Sequence, residues 1–153
     1  MANGIKERAA FSRSKIGGEV PMIVSEVVDG CLYSAFYGSL DSSRTQAIIE
    51  KILDMLVQTE SPFLIADLGN IDIVDSAIAA RLIQLADAAK AVGSEVVFCG
   101  ISPVIAQTMI GAGVNVRQLQ IARNLKSALK RVFVLQGKDL TLLGEISTGI
   151  GKK

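Results

Sequence analysis

The sequence predicts an α/β fold: a mixed, mostly parallel β-sheet with helices packed against it, in the order β-β-α-β-α-β-α-β-α. Three features predict it. Runs rich in β-branched and aromatic residues flank Asp29-Gly30, a dipeptide that favours a two-residue hairpin. Two later apolar runs, Phe63 to Ala66 and Val96 to Cys99, are too short for helices and suit strands covered on both faces. Around them apolar residues recur at helical spacing, so strand and helix alternate, as parallel strands joined by crossovers require.

Taken in order, residues 1–20 lack periodicity and pass through Gly17-Gly18, so a flexible segment is expected there. Residues 21–136 are expected to form one domain, and residues 137–153, with Gly144, Gly149 and Gly151, a loosely ordered basic tail. Pro21 opens the first strand, Met22 to Val28; Cys31 to Tyr37 returns, and Gly38 to Asp41 form a loop. From Ser42 to Gln58, Ile48, Ile49, Ile52, Leu53 and Leu56 lie on one helical face, and Ser43 with Gln46 has capping-box spacing. Pro62 ends the connection to the next strand. A loop from Asp67 to Asp75 then leads to a second helix, Ser76 to about Val92, with a core stripe of Ile78, Leu82, Leu85, Ala89 and Val92 and a stop at Gly93. Ser102-Pro103 reads as N-cap and first residue of a short helix to about Ile110, closed by Gly111 or Gly113. A weak strand around Gln118 to Ile121 and a basic helix from Asn124 to about Leu135 complete the domain.

Composition narrows the function. The chain has 153 residues, 50% hydrophobic and 20% charged, enough for a sizeable core. Mean hydropathy is high, +0.42. Yet the most apolar stretch, Ile73 to Val92, is interrupted by Asp75, Arg81, Asp87 and Lys90, and no membrane span is expected. The first twenty residues hold no apolar signal core, so a cytoplasmic location is expected. There is no histidine, and Cys31 and Cys99 are the two cysteines, which removes His-based acid–base catalysis, most zinc sites and a disulfide scaffold. Cys99, within Val96-Val97-Phe98-Cys99, reads as a buried structural thiol. Charge is segregated. Residues 1–20 have four basic and two acidic side chains (+2), residues 21–122 five and eleven (−6), and residues 123–153 seven and two (+5). An acidic body repels phosphate backbones, so no nucleic-acid partner is expected.

Chemistry in such a sheet belongs at the carboxyl ends of the strands, where helix N-termini also point. One candidate is the segment Asp67 to Ser76, with Asp67, Asn70, Asp72 and Asp75 as a partner-binding loop and Ser76 at the helix start. A hydroxyl there is well placed to carry a phosphate, beside free N–H groups and the positive end of the helix. The plainer alternative is that Asp75 or Ser76 simply caps the helix and the acids are a solvated loop. The second candidate is Thr108, whose plainer alternative is a hydroxyl bonded back to the carbonyl four residues earlier. Gly111-Ala112-Gly113 follows a helix and reads as a stop, and there is no Walker motif or calcium-loop spacing. No catalytic residue, metal or cofactor is expected, a weakly held Mg²⁺ apart.

Two segments, Phe63-Leu64-Ile65-Ala66-Asp67-Leu68-Gly69-Asn70-Ile71-Asp72-Ile73-Val74-Asp75-Ser76 and Gly100-Ile101-Ser102-Pro103-Val104-Ile105-Ala106-Gln107-Thr108, resemble the STAS domain and, within it, the stressosome scaffold proteins of the RsbR and RsbS type. The bacterial anti-anti-sigma factors carry an Asp-Ser acceptor at the same place. The resemblance spans Pro21 to Leu135. It implies a non-enzymatic protein in which Ser76 is phosphorylated by a serine/threonine kinase of the RsbT type, and in which Thr108 matches a second acceptor. It also implies RsbR- or RsbS-type paralogues as partners in a large cytoplasmic complex, and an RsbX-like phosphatase that resets the state. The short segment before the first strand and Ser at position 76 look RsbS-like, whereas Gly38 to Gln46 and Ala106-Gln107-Thr108 look RsbR-like. A stand-alone anti-anti-sigma factor and a nucleotide- or small-molecule-binding module remain alternatives. Ala77, Ala80, Ala88 and Ala91, outside the core stripe of the second helix, offer a low-relief face for a partner.

Overall fold

The computed structural model describes residues 22–38, 40–72 and 75–137. Strands β1 (Met22–Val28) and β2 (Cys31–Gly38) pair antiparallel around Asp29-Gly30, with Val28 opposite Cys31. Three parallel partners follow on the other side of β2: β3 (Phe63–Ile71), β4 (Glu95–Cys99) and β5 (Gln120–Ala122). Strand order in space is therefore β1-β2-β3-β4-β5, each parallel step bridged by a helix. Those helices are α1 (Ser42–Thr59), α2 (Ser76–Ala91) and α3 (Pro103–Gly111); α4 (Leu125–Leu135) follows β5.

Side-chain alternation along β3 and β4 divides the core in two. Leu64, Ala66 and Leu68 of β3, with Val96 and Phe98 of β4, pack with α1, α2 and α3 through Ile48, Ile52, Leu56, Ile78, Leu82, Leu85, Ile105 and Met109. Ile65, Val97 and Cys99 face the other way, against Ala128 and Val132 of α4. Both central strands are thus covered on both sides, which is why they read as continuous apolar runs. Each fully buried Leu or Ile contributes about 1.5–3 kcal/mol of transfer free energy. Among the described residues, no helix is long and apolar enough to cross a membrane.

The structure corrects several expected boundaries. Helix α1 is capped by Asp41, extended at φ −104° and ψ 169°, whose carboxylate accepts from the Arg44 N–H at 2.8 Å. Ser43 is already helical and cannot serve as the cap. The Gln46 side chain points away from the helix start, donating to Glu50 and accepting from Arg81 of α2. Val92 is not core; it lies just past the end of α2 and is 47% exposed. The last strand begins two residues later and ends one residue later than its apolar pattern suggests, because a 3₁₀ turn at Val116–Gln118 takes up the preceding residues.

The largest correction is at the end of β3, where a loop was expected from Asp67. The strand instead runs on to Ile71, pairing with β2 as far as Gly38. It does so through a bulge: Ala35 is opposite Asp67, but Tyr37 is opposite Asn70, so one extra residue is taken up on β3. The bulge returns Ile71 to the buried face under α1 and α2. Residues 1–21 and 138–153 lie outside the described residues, as do Ser39, Ile73 and Val74.

Candidate functional site

Because β2, β3 and β4 run parallel, helices α1, α2 and α3 all start at the same end of the sheet. Each start is capped by an oxygen-bearing side chain: Asp41, Asp75 and Ser102. Asp75 is extended (φ −87°, ψ 175°) and its Oδ1 accepts from the Ile78 N–H at 2.8 Å. The capping role at α2 thus falls to Asp75 and not to Ser76. Ser76 is the first residue of α2 and is exposed, with exposed Asp72 and Asp75 just before it in the chain. First-turn N–H groups and the positive helix end give this position an affinity for negative charge, which the two carboxylates oppose.

Asp67 is not part of that rim. It projects on the α4 side of the sheet, the side opposite α2, among Tyr33 and Cys99. Its Oδ2 accepts from the Tyr33 hydroxyl at 2.6 Å, and its Oδ1 accepts from the Gly69 N–H at 2.9 Å. The second bond satisfies the backbone donor that the bulge takes out of the ladder. Burial, and then the bond to Asp67, hold the Tyr33 phenol well above its ordinary range. Asn70 lies on β3 opposite Tyr37 and is exposed; Asp72 follows the strand, its N–H donating to Gly38 O at 3.3 Å. Of the four residues expected to form one loop, Asp75 caps the helix that Ser76 opens, Asp72 follows β3, Asn70 lies on β3, and Asp67 has a structural task on the other face of the sheet.

Gly100, the first residue after β4, is tied into the same arrangement. Its φ is +70°, and a Cβ there would come within 2.7 Å of both Asp67 Oδ1 and the Gly69 nitrogen. Only glycine accommodates this approach of the β4 end to the β3 bulge.

Thr108 lies six residues into α3, about 8 Å along the helix from its start at 1.5 Å per residue. It is half-buried, and its hydroxyl donates to Val104 O at 3.0 Å, the back-bond that its spacing suggested. Cys31 and Cys99 are fully buried, and burial pushes both thiols up to about 12, so neither is a nucleophile at neutral pH. Among the described residues, no three Cys, Asp or Glu side chains converge as metal ligands would. Reading the sequence missed Asp41, Tyr33 and Gly100. Asp41 was visible as an Asp before a helical run, whereas the Tyr33–Asp67 bond joins residues 34 apart and left no local signal.

The described residues form a five-stranded mixed sheet with three helices on one face and one on the other, and an exposed Asp-Ser at a helix start. The STAS domain model matches residues 22–128, and the chain belongs to that family. It is 28% identical over 108 residues to the RsbT co-antagonist protein RsbRA of Bacillus subtilis, covering 71% of this chain and 39% of the relative. With RsbRD of the same organism identity is 27% over 111 residues, covering 72% and 40%. The chain therefore spans about two fifths of the length of these relatives. Among solved structures, an RsbS from Moorella thermoacetica carrying a serine-to-glutamate substitution superposes with a TM-score of 0.67 at 26% identity, covering 78% of this chain and 99% of that one. A chain of the stressosome (TM-score 0.61, 22% identity, 74% and 97% covered) shares the fold.

Proposed function

We propose that this chain is a non-enzymatic scaffold or antagonist that holds a serine/threonine kinase of the RsbT type in the cytoplasm and releases it when Ser76 is phosphorylated, with Thr108 as a second acceptor. An RsbX-like phosphatase resets it, and RsbR- or RsbS-type paralogues share the assembly. One observation carries this reading: within the family fold, Ser76 stands exposed at the first position of α2 while Asp75 alone caps the helix. The hydroxyl can be esterified without removing the cap. The names of the RsbT co-antagonist relatives support the kinase partner, and the glutamate variant of the RsbS structure supports a serine at which charge matters.

The chemistry is charge placement. A phosphoryl group passes from the kinase's nucleotide to Ser76 Oγ, whose proton leaves to a base on the kinase. The ester adds roughly −1.5 to −2 charge at pH 7. It does so just after Asp72 and Asp75 in the chain, so a partner surface matched to a neutral hydroxyl meets a strongly anionic rim. Like-charge juxtaposition of this kind costs several kcal/mol at an interface. Thr108 must first give up its bond to Val104 O, which makes it the slower acceptor.

Kinase capture tests the reading. Ser76→Ala is expected to hold the cognate kinase through incubation with ATP, while the wild type releases it. Ser76→Asp is expected to weaken capture by about 1–3 kcal/mol, less than the phosphate, since a carboxylate carries about half the charge. Wild type and Ser76→Ala releasing kinase at the same rate would overturn it.

A further inference from the structure

Two surface ridges on opposite faces of the sheet, neither of them used by the proposed switch, carry complementary patterns. The outer side of α1 presents Glu50, Asp54 and Val57, at i, i+4 and i+7, all exposed. They lie opposite the buried stripe of Ile48, Ile52 and Leu56. The outer side of α4 presents Lys126, Lys130 and Val134, at i, i+4 and i+8, likewise exposed and opposite the buried Ala128 and Val132. From Arg123 to Gln136 the chain holds Arg123, Lys126, Lys130 and Arg131 and no acid. Val57 is 57% exposed and Val134 48%, so each charged ridge ends in an aliphatic side chain that faces solvent.

Within one chain the ridges cannot meet, because α1 packs on one face of the sheet and α4 on the other. They do run in the same direction. Helix α1 leaves the carboxyl end of β2 and returns to the start of β3. Helix α4 leaves β5 likewise and ends beside the hairpin turn, where Gln136 Nε2 donates to Asp29 O at 3.2 Å. Two copies in the same orientation, laid face to back, therefore set α4 of one parallel to α1 of the next. Glu50 to Asp54 and Lys126 to Lys130 both span about 6 Å along the helix, and the valines follow about 4.5 and 6 Å further on. The ridges then come into register: Lys126 with Glu50, Lys130 with Asp54, and Val134 with Val57. Between paired helices, flanking charges of this kind set partner and direction, while the apolar contact contributes burial.

We propose that these ridges are the two halves of a head-to-tail contact between copies of this chain, each copy offering α4 to one neighbour and α1 to another. A second copy is the occupant because one sequence carries both halves, opposite in charge and matched in spacing. The halves are unlike, so the contact is heterologous and extends beyond a pair. It uses no residue of the proposed switch, and the two readings stand or fall separately.

Carbodiimide coupling of the full chain, which joins a carboxylate to a lysine amine as an amide with loss of water, tests this on a mixture of ordinary and isotope-labelled protein. Amides from Glu50 or Asp54 to Lys126 or Lys130 are expected, joining different chains. They are expected to be lost at about 1 M salt, where the screening length is about 3 Å. Val134→Asp leaves every reactive group in place but sets a like charge beside Asp54 and Val57 of the neighbour, and is expected to abolish the coupling. Adding Val57→Lys to the same chain is expected to restore it, which also shows that the first variant was folded. Absence of these amides between chains, their persistence undiminished at high salt, indifference to Val134→Asp, or no recovery in the double variant would each overturn the proposal.

Discussion

At the scale of single residues, the carboxylate of Asp67 and the bare α-carbon of Gly100 decide how the carboxyl ends of β3 and β4 fit together. Asp67 accepts from Tyr33 on one side and from the bulged Gly69 N–H on the other. Gly100 leaves room for that carboxylate where any side chain would meet it at 2.7 Å. Gly100→Ala combines a left-handed backbone with a hard contact and is expected to destabilise by about 2–4 kcal/mol, read as a lower midpoint in urea at unchanged slope. Asp67→Ala leaves two polar groups without a partner and is expected to cost about 2–4 kcal/mol. Asn at the same position keeps one acceptor, for the Gly69 N–H, turns the other contact into a donor facing the Tyr33 oxygen, and is expected to cost less. The buried thiols add a pH dependence of known sign. Their proton is held more tightly in the folded state, so the stability they contribute is complete below the ordinary thiol range, near 9, and is lost as pH rises toward about 12. Urea midpoints measured from pH 8 to 11 are expected to fall, and to fall less in Cys99→Ala.

The start of α2 is the element on which the proposed switch stands, and its cap and its proposed acceptor are separable. Asp75→Ala removes the bond to the Ile78 N–H and is expected to cost about 1 kcal/mol, whereas Asp75→Asn keeps the cap and removes a charge at little cost. Thermal unfolding of the two variants distinguishes capping from charge. The elements differ in how openly the sequence announces them. Strand β4 and helix α4 are legible because an unbroken apolar run and a strict helical stripe have one physical reading each. Asp75 and Ser76 are legible for a similar reason: cap chemistry is local. The end of β3 is not, because Asp67, Gly69 and Asn70 are turn formers by propensity. What keeps them in a strand is pairing to Ala35, Tyr37 and Gly38 and a bond from Tyr33, all supplied by a segment thirty residues earlier. The cap of α1 fails in the same way on a smaller scale: Ser43 and Gln46 have capping-box spacing, but the extended backbone the cap requires occurs at Asp41.

For the molecule as a whole, high apolar content and the solvent-facing side chains of Val57, Val104 and Ile110 fit a domain that places surface against neighbours. On α2, Ala77, Ala80 and Ala91 are exposed and Ala88 is half-buried, a shallow face running away from Ser76. If that face joins scaffold copies or holds the kinase, Ala80→Lys is expected to reduce assembly or capture without changing thermal stability. Light scattering of the chain mixed with its STAS paralogues is expected to show a particle far larger than a dimer. A monomer or dimer under all mixtures favours a stand-alone antagonist of the same fold.

The exposed hydroxyl at the start of α2 is tested most directly by incubating the chain with its cognate kinase and ATP and mapping phosphate by mass spectrometry. The expected result is a dominant ester on Ser76, formed before any on Thr108 and missing from the Ser76→Ala variant. Equal phosphate incorporation into wild type and Ser76→Ala would contradict it.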